Sequence, residues 1–245
     1  MDNEKNSYSI EEIKNINLDN MTYDEIIQNI KSDFVHDFLK IFSVINIEIL
    51  NQDLANALIN NLTNRPNPIR EAVALKIEEL YQNEYFINEI SKEQLIKAIV
   101  DINPNVSRSI CNIIQENNEL QEYILDDLLK KINLTIQDIK NFEKENKDFF
   151  SLKAKNNKSH AKNKLLFSLY WLLEALSLCD VKKYNSEVLK ILKFTIHFSD
   201  YTIREKTAKI LANMNNAPDE LIQLVKNDQN FYVKNQVYDK MNNED

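Results

Sequence analysis

The chain has 245 residues, 43% of them hydrophobic, and a formal net charge of −8. It contains four prolines and no glycine at all, where ordinary usage of about 7% would supply roughly 17. That absence excludes phosphate-cradling loops, dinucleotide-binding turns and EF-hand loops. It also removes the usual hairpin turns of sandwiches and barrels, leaving an all-helical soluble protein.

Helical signals run from one end to the other. Ser9 with Glu12 and Thr22 with Glu25 have the spacing of a capping box, and Ser91 with Gln94 repeats it. Pro68, Pro104 and Pro218 stand at first-turn positions, where the missing N–H costs nothing. Asn83, Asn117–Asn118 and Asn215–Asn216 take the stop positions that glycine usually fills. The spacing predicts helices over 9–16, 22–31, 33–49, 51–63, 67–82, 86–100, 104–116, 119–132, 135–149, 161–179, 185–198, 200–214, 218–227 and 230–242.

Charge is uneven. Residues 1–63 carry net −7, 64–132 net −4, 133–164 net +4 and 165–245 net −1. The basic island coincides with the least periodic stretch and reads as a helical or linker insertion. The polar, acidic start, Met1–Lys5, has no apolar segment and reads as no secretory signal. Cys111 and Cys179 are single and far apart, so a reducing cytoplasm is the expected compartment.

Four segments share one frame. Asn67-Pro68-Ile69-Arg70 leads to Val73 and Ile77. Asn103-Pro104-Asn105-Val106-Ser107 leads to Ile110 and Ile114. Asp200-Tyr201-Thr202-Ile203-Arg204 leads to Thr207 and Leu211. Asp228 through Val233-Lys234 leads to Val237 and Met241. A polar turn, a β-branched residue, usually a base, and apolar residues four and eight further on make one helical stripe.

This frame resembles the second helix of a HEAT repeat, roughly Asp-Pro-x-x-x-Val-Arg-x-x-Ala-x-x-x-Leu. The stretch from Ile203-Arg204 to Leu211 follows it best. Ser107 replaces the base, Val73, Thr207 and Val237 replace the small residue, and the turn glycine is absent throughout. The resemblance implies an all-α, right-handed α-solenoid of antiparallel helix pairs with a mid-chain insertion. Residues 1–50 form an N-terminal helical cap, 51–132 and 165–245 HEAT-like repeats, and 133–164 the basic insertion.

Catalytic signatures are poor. His36, His160 and His197 are scattered, and no metal-ligand spacing or nucleophile motif stands out, so no enzyme, metal or cofactor is expected. Arg70, Arg204 and Lys234 occupy equivalent repeat positions. They form either a cationic row for an acidic partner or a ladder onto turn acids such as Asp200 and Asp228. Lys153, Lys155, Lys158, Lys162 and Lys164 form one acid-free basic run, either a diffuse, salt-sensitive contact or a solvated loop. Leu165–Cys179 is apolar nearly all round but holds Glu174 and is shorter than a bilayer requires. It reads as a central buried helix with Trp171 in the core. Phe231-Tyr232 either caps the last repeat or docks a partner.

HEAT arrays are mostly adaptors, so the resemblance implies a non-catalytic scaffold for protein–protein interaction. Two alternatives share the repeat. Alkylpurine DNA glycosylases are similar short arrays with a basic channel bearing aromatic and acidic residues; nucleic acid suits this acidic chain poorly. A bilin-lyase-like HEAT protein is the other, with no residue here marking a bilin site.

Overall fold

The computed structural model describes residues 21–48, 50–63, 65–81, 90–145, 152–182, 185–214 and 216–241. Among them are twelve helices and no strand: α1 (Tyr23–Lys31), α2 (Asp37–Ile45), α3 (Gln52–Asn61), α4 (Asn67–Leu80), α5 (Lys92–Ile99), α6 (Pro104–Glu116), α7 (Asn118–Glu145), α8 (Leu152–Leu178), α9 (Asn185–Thr195), α10 (Tyr201–Asn213), α11 (Asp219–Lys226) and α12 (Phe231–Met241). The expected helix 9–16, its capping box and the stops at Asn83 and Asn215 lie outside the described residues.

Helix starts follow their local chemistry. The Thr22 hydroxyl accepts from the Glu25 N–H at 3.3 Å, and the Glu25 carboxylate accepts from the Thr22 N–H at 2.8 Å. Ser91 and Gln94 make the same exchange, both bonds at 3.2 Å. Asn117 serves two helices. Helix α6 stops at Glu116 as expected, with the Asn117 N–H closing onto the Ile114 carbonyl at 3.3 Å, and the Asn117 side chain caps α7 by accepting from the Leu120 N–H at 2.9 Å.

Two compact units divide the chain: Met1–Ala98 with Asn103–Ile113, and Ile99–Ile102 with Ile114–Asp245. In the first, α1 packs on α2 and α3, and both α2 and α3 pack on α4. In the second, α7 packs on α8 and α9, and α8 on α10. Helix α10 then packs on α9, α11 and α12, and α11 on α12. Helices α1, α7 and α10 each meet both the next helix and the helix two further on, the contact pattern of stacked helix pairs.

Hydrogen bonds between stacked pairs recur at nearly constant separation. Asn112 donates to Glu78 across 34 residues at 2.6 Å, and the Gln94 amide donates to the Ile59 carbonyl across 35 residues at 3.4 Å. In the second unit Lys209 donates to Glu174 across 35 residues at 2.9 Å, and Asn213 to the Ser177 carbonyl across 36 at 3.3 Å. The repeat frame supplies the core between these bonds. Ile69, Val73 and Ile77, Val106, Ile110 and Ile114, Ile203, Thr207 and Leu211, and Val233 and Val237 are all buried.

The mid-chain stretch differs from expectation. The predicted break near 133–134 is absent, and α7 is one helix of 28 residues. No proline or glycine interrupts it. Thr135 turns its hydroxyl back onto the Lys131 carbonyl at 2.9 Å, and Asn133 reaches Glu187 of α9 at 2.9 Å instead of capping. Ile132, Ile136 and Ile139 extend the buried stripe of Leu125, Leu128 and Leu129. Likewise, α8 begins at Leu152, so residues expected as a linker are helical. Lysine and alanine are good helix formers without any apolar period, and only the period had been legible. The later half of α8 is the expected central helix, with Leu169, Trp171, Leu172, Leu173 and Leu176 buried. No helix among the described residues is long and apolar enough to cross a membrane.

Candidate functional site

The starts of α10 and α12 are tied together by one side chain. Asp200 caps α10, its Oδ1 accepting from the Thr202 N–H at 3.0 Å and the Thr202 hydroxyl at 2.8 Å. Asp228 closes the turn before α12, accepting from the Asn230 N–H at 2.8 Å. Asn230 in turn accepts from the Tyr232 N–H at 2.9 Å. Arg204 binds both turns. Its Nη1 donates to the carbonyls of Phe198 at 2.7 Å and Ser199 at 3.0 Å. Its Nε and Nη2 grip the two Asp228 oxygens at 2.7 and 3.0 Å.

The two-bonded grip is the strong form of an arginine–carboxylate pair. The Arg204 hydrogen bonds hold the Asp228 carboxyl below the usual carboxylate range, and the same bonds raise the guanidinium further. Lys234 adds its positive field to Asp228.

This clamp sets three aromatic rings side by side on the surface. Tyr201 and Tyr232 stack with centroids 6.4 Å apart and planes 26° apart, while Phe231 meets Tyr232 edge-on at 5.8 Å. They are 42%, 60% and 69% exposed in the order Tyr201, Tyr232, Phe231. The sequence singled out Phe231-Tyr232 but not Tyr201. The signal was available, since Tyr201 follows the Asp200 cap as Phe231 follows the turn of Asp228.

Beside the α10 start lies a cleft of about 380 Å³, walled by Leu166, Phe167, Tyr170 and Trp171 of α8 and by Asp200 and Thr202. Trp171 is buried, as expected, and stands edge-on to Tyr170 at 5.3 Å and Phe167 at 6.3 Å. A second cleft of about 360 Å³ shares Leu166 and is bounded by Lys162, Lys193, Phe194, His197 and Phe198. Beneath, Glu174 meets Lys206 at 2.8 Å and Lys209 at 2.9 Å. Burial alone would raise the Glu174 carboxyl, but the two ammonium groups outweigh it and hold it low.

The other sequence candidates sit as follows. Arg70, in the first unit, is half-buried and donates to the Arg65 carbonyl and to Asn67 Oδ1, clasping its own turn as Arg204 does. Its neighbour reaches the next turn. Glu71 accepts from Asn103 at 2.7 Å and Asn105 at 2.6 Å. The partners suit each other chemically: amide donors meet the Glu71 carboxylate, and the Asp228 carboxylate meets the Arg204 guanidinium. Lys162 pairs with Glu143 at 2.9 Å, and Lys164 is exposed. Lys153, Lys155 and Lys158 lie on the first turns of α8, with side chains outside the described residues.

No group of three or more His, Cys, Asp or Glu among the described residues could hold a metal. His36 caps α2, its Nδ1 accepting from the Phe38 N–H at 3.2 Å. Burial pushes the Cys179 thiol up to about 12, the opposite of what a nucleophile requires.

No family model matches the chain, and no curated protein matches it. Solved structures share its fold. One is an engineered protein, 13% identical, aligned over 91% of this chain and 98% of its own with a TM-score of 0.53. Another is a designed armadillo repeat protein in complex with the peptide (KR)4, 11% identical, aligned over 89% and 97% with a TM-score of 0.50. The class so defined is the all-helical repeat protein of the α-solenoid kind.

Proposed function

We propose that this chain is a non-catalytic, HEAT-like scaffold working in the cytoplasm, and that it holds another protein through the aromatic surface at the starts of α10 and α12. The observation that carries this is the exposure of Tyr201, Phe231 and Tyr232 beside an aromatic cleft. Large rings on a rigid backbone supply contact area with little conformational entropy to lose, and such residues dominate binding hot spots. Helix ends fixed by capping and by the Arg204–Asp228 pair keep the rings in place before a partner arrives.

The armadillo repeat neighbour holds a peptide, which fits a peptide or loop as the occupant here. In this reading Arg70, Arg204 and Lys234 shape turns rather than forming a free cationic row, and the lysine run of α8 is a secondary contact. Nucleic acid gains little from this surface. Lys162, Lys193, Arg204, Lys206 and Lys209 each already face a carboxylate within 3 Å, whereas phosphate binding draws on cations able to release counterions.

A photo-crosslinking residue substituted for Phe231 tests this in source lysate. The expected product is one crosslinked protein, lost when Tyr201 and Tyr232 are changed to serine. Crosslinks to nucleic acid, or none while a partner still co-purifies, would move the site elsewhere.

A further inference from the structure

Helix α2 is built inside out. Its inward face carries Leu39, Lys40, Ser43 and Val44, with Lys40 2% exposed and Ser43 fully buried. The Lys40 ammonium is satisfied there by the Ile30 carbonyl at 3.0 Å, the Ser32 carbonyl and Asn61 Oδ1 at 3.4 Å, so it seals the end of α1. Ser43 Oγ takes the Asn29 amide at 3.1 Å. The outward face carries Phe38, Ile41, Phe42 and Ile45. Phe38 is 45% exposed and Ile45 57%, and Phe34, just before the helix, is 69% exposed. Large apolar side chains gathered on an open face mark an interaction site, and no described element covers Phe34, Phe38 or Ile45.

Phe34, Phe38, Ile41 and Ile45 follow a four–three–four spacing, the register by which one amphipathic helix meets another. The charge around it is one-sided. Along residues 33–48 the exposed charges are Asp33, Asp37 and Glu48, while the lysine of the segment is the buried Lys40. Arg65 pairs with Asp33; Asp37 and Glu48 make no ion pair among the described residues. A second copy of this chain would set the same acids against each other. Residues 1–20 are a poor match too, with five acids against two lysines.

We infer that the outer face of α2 docks an amphipathic helix of another protein, apolar at four–three–four spacing and flanked by lysine or arginine. The site is separate from the aromatic surface of α10 and α12, and either stands if the other fails.

The test uses the full chain and a labelled synthetic helix with leucines at that spacing and lysines on its flanks, titrated by fluorescence anisotropy. Saturable one-to-one binding is expected, weaker by about ten-fold or more when the flanking lysines become glutamates. The same loss is expected in the Phe38→Ser/Ile45→Ser variant, and in Phe34→Ser should the double variant melt differently from the parent. Equal affinity for both helices, or affinity untouched by the substitutions, would overturn the inference. So would a dimeric mass by light scattering that these substitutions return to the monomer. Protection of Phe38 and Ile45 from hydroxyl-radical labelling in the free monomer, unchanged by the helix, would overturn it in favour of the chain's own residues 1–20.

Discussion

Arg204 and Asp228, 24 residues apart, join the starts of two successive second helices through bonds of 2.7 and 3.0 Å. The side chains are 17% and 10% exposed, and the guanidinium also ties two backbone carbonyls. Removing either partner leaves the other half-buried without its counter-charge. Arg204→Ala and Asp228→Asn are each expected to destabilise the second unit by roughly 1–3 kcal/mol. In a double-mutant cycle read by urea unfolding, the pair should couple by about 1–2 kcal/mol. Arg204→Lys should recover little, because an ammonium cannot span both oxygens.

Acid should loosen the second unit through two carboxylates. Asp228 and Glu174 both have folded values below their ordinary ones. A depressed carboxylate contributes stability that is complete above its unfolded pKa of about 4. The contribution is lost as pH falls through the folded value, since the unfolded state then binds more protons. The melting temperature should be flat near neutrality and fall below about pH 4. Glu174→Gln should flatten part of that acid limb while lowering stability at pH 7 by roughly 2–4 kcal/mol, because Lys206 and Lys209 lose their shared partner. An acid limb as steep as in the parent chain would mean that Glu174 is not held low in the fold.

Glu71 offers a neutral counterpart. It accepts amide bonds from Asn103 and Asn105, and Asn103 is buried. Glu71→Ala leaves that amide without its acceptor and should cost roughly 1–3 kcal/mol. Glu71→Gln keeps a carbonyl acceptor and should cost less. Chemical denaturation of the two variants decides; equal losses would show that the charge, not the acceptor, matters.

Ile203 carries the repeat frame and is fully buried. Ile203→Asp places an unpaired charge on the stripe that α10 buries, and should abolish cooperative unfolding of the C-terminal repeats or cost more than about 4 kcal/mol. A melting profile like that of the parent would show that the stripe does not face the core.

How far the sequence could be read depended on the kind of signal. Capping-box spacings, Thr22 with Glu25 and Ser91 with Gln94, marked the starts of α1 and α5, and the frame Ile203–Thr207–Leu211 located a buried stripe, because both are local rules. The turn acid at Asp228 was foreseeable as an arginine partner. The continuity of α7 was not: Asn133 sits where a cap would, and only its distant partner Glu187 takes that amide away from the backbone. The helicity of the lysine run rests on propensity without periodicity. At Asn117 one residue ends α6 and caps α7, and of these two roles the sequence showed the stop. Nothing in the apolar run of α2 says which face is inward, because Lys40 reads as a surface residue until three oxygens around it are seen.

The most direct measurement is affinity capture from source lysate, at low and at high salt, comparing the parent chain with Tyr201→Ser/Phe231→Ser/Tyr232→Ser. An exposed Leu75→Ser variant in the first unit controls for general surface change. One stoichiometric protein that survives high salt, is retained by Leu75→Ser and is lost from the triple variant is the expected result. The same protein captured equally by all three, or nucleic acid released by salt in place of any protein, would contradict the scaffold surface assigned to α10 and α12.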